Sequence, residues 1–310
     1  MWRRFLLRCT LLALPVPVMV ALYCLPQARF FPAPRITANI AVNEKAAFAR
    51  ERYSTGTDVL ALGSSMALNN LSSKAVMEHF GEVRYLNAGA WGIGASELAV
   101  IGPILADRLR PRTVVVCTNT MDFAEQPNIL ADDGPSIRRS FNDPPLLGYL
   151  RHWDAPYYLR EMEVNRVRFR DSANYEYLGF DPHGGATLSL LPGQISQARF
   201  NKPTPPAGAL SQERYHAFSE FAQAMHRRGI RLIVIASPYR DGVRNPERDA
   251  VQEAHARRLQ ALLAPLGAIL VDASQRGWAD SLFVDSSHLG PEGADLFTAY
   301  CLAMSGPAPR

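Results

Sequence analysis

Five short runs of apolar and β-branched residues, at 58–62, 83–86, 113–117, 231–236 and 268–272, alternate with stretches of helical spacing. That alternation restricts the chain to a narrow set of folds. The run from Thr113 to Cys117 shows no polar alternation, which is the pattern of a strand covered on both faces. The segments between the runs read as helices. Ser72 can cap one whose apolar side holds Val76, Met77 and Phe80, and Gly81 stops it. Leu98, Ile101, Leu105 and Leu109 recur at helical spacing before Pro111. Tyr215, Phe218, Phe221 and Met225 mark another face, ended by Gly229. Asn245 and Pro246 open a helix that continues through Leu259, Leu262, Leu263 and Leu266 to Gly267. Gly290 and Pro291 open the last one, through Leu296, Phe297 and Tyr300. This order predicts an α/β fold, a three-layer αβα sandwich on a five-stranded parallel sheet with right-handed crossovers.

The pattern is interrupted at 124–210, which is rich in Pro, Gly, Asn, Arg and aromatic residues. A structureless loop of that length does not suit a compact domain, so the stretch reads as an insertion shaping the substrate cleft, with a helix near 157–170. Trp153, Tyr157, Tyr158, Tyr175, Tyr177 and Phe180 suit either a small satellite core or stacking on sugar rings. Residues 181–185 read as a polar turn or a substrate contact, and 203–206 as a linker. With 310 residues and 47% apolar composition, one domain with an insertion or two small domains would fit. The first alternative places the α/β unit at 58–123 and 211–304.

The beginning of the chain has its own character. Arg3, Arg4 and Arg8 precede an uncharged, mostly apolar stretch at 9–26, close to the roughly 20 residues that span a bilayer core. Residues 1–28 therefore read as an N-terminal transmembrane anchor, with the arginines inside and the rest of the chain exported, periplasmic or otherwise extracytoplasmic. A cleaved signal peptide is the alternative. Residues 29–57 read as a stalk and lead-in, helical from 42 to 53. The net charge of +4 comes from dispersed Lys and Arg, which gives no nucleic-acid footprint. The four cysteines form neither a metal site nor a disulfide framework, and no metal or cofactor is expected.

Sites in open parallel sheets gather at the carboxyl ends of the strands. Ser65 follows the first run in Gly63-Ser64-Ser65, Gly92 closes the turn after the second, and Asn119 follows the third. Asp285 and His288 follow the fifth, just before a helix start. A carboxylate three residues before a histidine can accept from one ring nitrogen and leave the other as a base. A serine hydroxyl needs such a base to act as a nucleophile. Backbone N–H groups of Ser65 and Gly92 and the Asn119 amide are candidate oxyanion donors. Asp122, Trp91 and Tyr239 are candidate substrate contacts.

These blocks resemble the SGNH, or GDSL, hydrolases. The family's Gly-Asp-Ser corresponds to Gly63-Ser64-Ser65, and its Asn-x-x-x-x-Gly turn to Asn87 through Gly92. Of its Gly-x-Asn-Asp turn only Asn119 is kept, with Asp122 a competing candidate, while Asp-x-x-His is matched by Asp285 and His288. Ser64 is similar to the form in membrane-anchored, exported members such as the DltD-like and alginate-acetylation proteins. The resemblance implies a flavodoxin-like SGNH hydrolase fold with Ser65 as nucleophile. It implies a membrane-tethered O-acyltransferase or esterase acting on acyl esters, acetyl in particular, of a cell-envelope or exported polysaccharide. A membrane-bound acyl-exporting partner is implied as well. A lipase- or thioesterase-type hydrolase and a non-catalytic scaffold or glycan-binding protein are the rival readings.

Overall fold

The computed structural model describes residues 2–15, 18–19, 22, 25–191 and 194–308. Its centre is one sheet of five parallel strands, β1 (Val59–Gly63), β2 (Tyr85–Asn87), β3 (Thr113–Thr118), β4 (Arg231–Ala236) and β5 (Ile269–Asp272). The spatial order is β2-β1-β3-β4-β5. The register aligns the strand ends, with Gly63 beside Cys117, Cys117 beside Ile235, and Ala236 beside Asp272. The turns that leave β1, β3, β4 and β5 therefore open on one edge.

Alternate residues of each strand enter two separate cores. Leu60, Leu62, Val114, Val116, Leu232 and Val234 face one layer. It is formed by α2 (Ile40–Arg52), α5 (Ala95–Leu109), α10 (Gln212–Arg227) and α11 (Pro246–Leu263). Val59, Ala61, Val115, Cys117, Ile233 and Ile235 face the other. Here α3 (Ser65–Asn70), α4 (Ser73–Phe80) and α12 (Pro291–Met304) cover the sheet. This double coverage is why the third run lacks alternation: all six residues of β3 are buried.

Local chemistry marks the helix ends where expected. Ser72 accepts from the Ala75 N–H at the start of α4, and Asn245 caps α11 ahead of Pro246. Two differences from the sequence reading concern the site. The chain turns into α3 at Ser65, although no apolar period marked that helix; Ser64 caps it by accepting from the Met66 N–H. The insertion also holds more helix than the one expected: α6 (Gly134–Ser140), α7 (Pro145–Arg151), α8 (Ala155–Arg168) and α9 (Gln197–Phe200).

The insertion starts and finishes at one place. Ala124 bridges Leu210 in antiparallel fashion, and the Ser211 N–H donates to the Phe123 carbonyl at 2.9 Å. Of its aromatics, Tyr158 is buried and stacks on Phe31 at 5.4 Å, so this group packs on the lead-in. The expected membrane span at 9–26 includes residues 16–17, 20–21 and 23–24, which lie outside the described residues. The helix α1 (Trp2–Ala13) overlaps its start, and among the described residues no helix is long and apolar enough to cross a membrane.

Candidate active site

The first strand delivers its serine through a glycine. Gly63 has φ +139, and a Cβ there would collide with the Cys117 carbonyl on β3, so the turn takes this path only without a side chain. Ser65 then occupies the first position of α3, where its backbone N–H has no intrahelical partner. Gly89 lets the turn after β2 press against this helix; a Cβ there would lie 2.6 Å from the Leu68 nitrogen.

The opposite end of the chain arrives as a closed loop. Phe283 bridges Leu289, and the Val284 N–H donates to the His288 carbonyl at 2.9 Å. The Asp285 Oδ1 accepts from the backbone N–H groups of Ser287 and His288 at 2.7 and 2.6 Å. Its Oδ2 lies 2.7 Å from His288 Nδ1. His288 Nε2 lies 2.8 Å from Ser65 Oγ, across 223 residues of sequence. Burial pushes the Asp285 carboxyl up, but the His288 ring and the two backbone donors outweigh it and hold the group well below the usual carboxylate range.

A residue that the sequence reading did not single out ties the two ends together. Asn70, fully buried at the end of α3, accepts from the Leu289 N–H at 2.9 Å. Its Nδ2 donates to the Ser287 carbonyl at 2.9 Å and to Ser237 Oγ at 3.1 Å. The helix that holds Ser65 thus grips the loop that holds His288. Asn70 follows a second asparagine, Asn69, and nothing local in the sequence separated the two.

Asn119 and Asp122 line the same cleft as Ser65 and His288. Asn119 Oδ1 accepts from the Met121 N–H at 2.9 Å, which turns the amide nitrogen toward Met66 Sδ, 3.1 Å away. A thioether is a weak acceptor, so the amide keeps donor capacity for a ligand oxygen. Asp122, expected as a substrate contact, lines the cleft and also ties two of its turns together. Its Oδ2 accepts from Thr118 Oγ1 at 2.8 Å, Ser64 Oγ at 3.0 Å and the Asn119 N–H at 3.3 Å. The carboxylate clamps the Ser64 turn to the Asn119 turn. Burial raises its pKa to about 6 against those three donors. Behind it, the buried Arg214 bonds to Glu97 at 3.1 Å and to the Asp122 carbonyl at 3.2 Å.

Tyr239 also lines the cleft, with its hydroxyl 3.0 Å from Thr120 Oγ1. Trp91 and Gly92 do not line it. Trp91 packs against the sheet's first core and its carbonyl accepts from Asn39 Nδ2. Gly92 lies exposed, with the Ile129 and Asn39 side chains as the nearest neighbours of its missing Cβ. The turn after β2 runs along the end of β1 at Ala88–Ala90, donating to the Ala61 and Gly63 carbonyls, before it reaches Gly92.

The cleft encloses about 220 Å³, and its other wall comes from the insertion: Tyr175, Arg199, Lys202 and Pro203. Tyr175 donates to Asp285 Oδ2 at 2.9 Å. No spacing rule in the sequence separated it from the other insertion aromatics. An apolar cavity of about 640 Å³ lies beside this wall, between Leu190, Phe200 and the Phe283–Val284 approach to Asp285.

No protein-family model matches this chain, and no curated protein matches it. Among solved structures it is similar to the acetylxylan esterase Axe2 from Geobacillus stearothermophilus, at 11% identity and TM-score 0.43, over 82% of this chain and 95% of that one. It is also similar to LAE5, an alpha/beta hydrolase enzyme from the metagenome of Lake Arreo, Spain, at 13% identity and TM-score 0.46, over 82% and 97%. At this level of likeness the functional reading rests on the side chains themselves.

Proposed function

We propose that the chain is a serine esterase or O-acyltransferase of SGNH type that works through an acyl-Ser65 intermediate. The observation that supports this most strongly is the relay Ser65 Oγ, His288 Nε2, His288 Nδ1, Asp285 Oδ2, with links of 2.8 and 2.7 Å. His288 takes the hydroxyl proton as Ser65 Oγ attacks an ester carbonyl, and Asp285 holds the ring and stabilises the imidazolium. The oxyanion that forms meets the Ser65 backbone N–H and the Asn119 amide. Collapse expels the alcohol, which receives the proton from His288. Water or a sugar hydroxyl then takes the acyl group by the reverse steps.

The small cleft favours a short acyl group such as acetyl. The neighbouring apolar cavity supports a second reading, a lipase- or thioesterase-type hydrolase with a longer chain. A glycan acceptor, an exported and membrane-tethered location, and an acyl-exporting partner complete the first reading; the arginines and apolar stretch near the start of the chain motivate them. A series of p-nitrophenyl esters from acetate to octanoate tests both readings. The first predicts that turnover is highest with acetate and falls about 10⁴- to 10⁶-fold in Ser65→Ala. Preference for octanoate would favour the second, and unchanged turnover in Ser65→Ala would sink both.

A further inference from the structure

The insertion reaches the relay through one hydroxyl. Tyr175 Oη lies 2.9 Å from Asp285 Oδ2 and 3.1 Å from His288 Nδ1. A phenol has a single proton, and an ionised carboxylate only accepts, so that proton goes to Oδ2. Oδ2 then holds two donors, the phenol and the ring N–H, while Oδ1 holds the two backbone N–H groups of Ser287 and His288. The carboxylate cannot rotate without breaking bonds to its own 285–288 loop and to the insertion. The tyrosine ring meets the imidazole edge to face at 5.5 Å, and the Arg199 guanidinium lies 3.6 Å from its centroid. Tyr175 also packs against the small core of Leu188, Leu190 and Val284.

We propose that Tyr175 is a positioning residue through which the docked insertion completes the base, holding Asp285 and His288 in the one geometry that points Nε2 at Ser65. Burial, with the Asp285 charge adding to it, pushes the phenol's pKa up, so the group stays a donor in neutral solution. The strand-end turns bring the three reacting side chains near one another, and the insertion fixes the carboxylate that aligns them. A chain with the same sheet but a displaced insertion would keep its relay residues and lose alignment. This rests on the serine-relay reading, and the test separates the two.

The test compares Tyr175→Phe and Tyr175→Leu in the full chain. Phenylalanine keeps the ring that packs on Val284 and stacks under Arg199, and removes only the hydroxyl. With p-nitrophenyl acetate, Tyr175→Phe is expected to lower kcat about tenfold, one charge-assisted hydrogen bond's share of the barrier, with KM within about twofold. Proton NMR supplies a readout that packing alone would not move. The downfield proton on His288 Nδ1, assigned by its absence in His288→Gln, should shift and exchange faster with water in Tyr175→Phe. An unchanged resonance and rate in Tyr175→Phe, with loss only in Tyr175→Leu, would reduce Tyr175 to a packing residue and overturn the proposal. Retained turnover in Ser65→Ala would instead sink the esterase reading, whatever the Nδ1 proton does.

Discussion

On one side of the cleft Ser65 and Asn119 are set by strands paired residue by residue, whereas on the other Tyr175, Arg199 and Lys202 come from a segment outside the sheet ladders. That second wall is attached by scattered hydrogen bonds and packing contacts, not by a ladder, among them Ala186 N–H to the Leu68 carbonyl and Asn87 N–H to the His183 carbonyl. Lys45 on α2 donates to the Gly184 carbonyl and, at 2.9 Å, to the Asn87 carbonyl. Asn69 donates to the Ala186 carbonyl, and Arg240 holds Asn201 Oδ1 at 2.7 Å. The difference separates two jobs. Strand register fixes where bonds are made and broken, because shifting it would move every side chain together. Point contacts fix what surrounds the reacting atoms, and each can be changed without disturbing the sheet.

The comparison can be broken from the sheet side first. Asn119→Ala removes an oxyanion donor and should lower kcat by about 10² to 10³ with little effect on Tm, checked by ester turnover and calorimetry. A loss below tenfold would remove Asn119 from the oxyanion site. Next in size is Asn70→Ala, which leaves the Leu289 N–H and the Ser287 carbonyl without their buried partner. It should cost about 2–4 kcal/mol in urea unfolding and lower kcat as well, since the two halves of the relay lose their tie.

The insertion side should answer differently. Lys45→Met strips two buried carbonyls of a donor, and the expected result is faster proteolytic cutting within 171–203 at nearly unchanged global unfolding of the sheet. Loss of the whole fold in that variant would mean that the two walls are not separable. The smallest effect concerns pH. The Asp122 pKa, raised to about 6, lies above its unfolded value, so the folded state binds the proton more tightly. Stability from this group is therefore present below the unfolded value and lost as pH rises through about 6. Asp122→Asn should flatten that part of the wild-type profile between about pH 4 and 6, read from Tm in matched buffers.

Legibility in the sequence followed the same division. The strands, their helices and the ends at Gly81, Gly229 and Gly267 were readable because period, capping and left-handed glycines are local properties. Ser65, Asp285 and His288 were readable because each stands beside such a punctuation mark. Gly92 was chosen by motif spacing, but the turn bonds to β1 at Ala88 and Ala90, and Gly92 does not line the cleft. Tyr175 and Asn70 were hidden for another reason. Their importance lies in partners 110 and 219 residues away, and no local pattern records such a contact.

The relay is tested most directly by a fluorophosphonate probe followed by peptide mass spectrometry on the full chain. The account predicts one adduct, on the peptide containing Ser65, absent in Ser65→Ala and strongly reduced in His288→Ala. Labelling at another residue, or none on Ser65 in a folded protein, would contradict it.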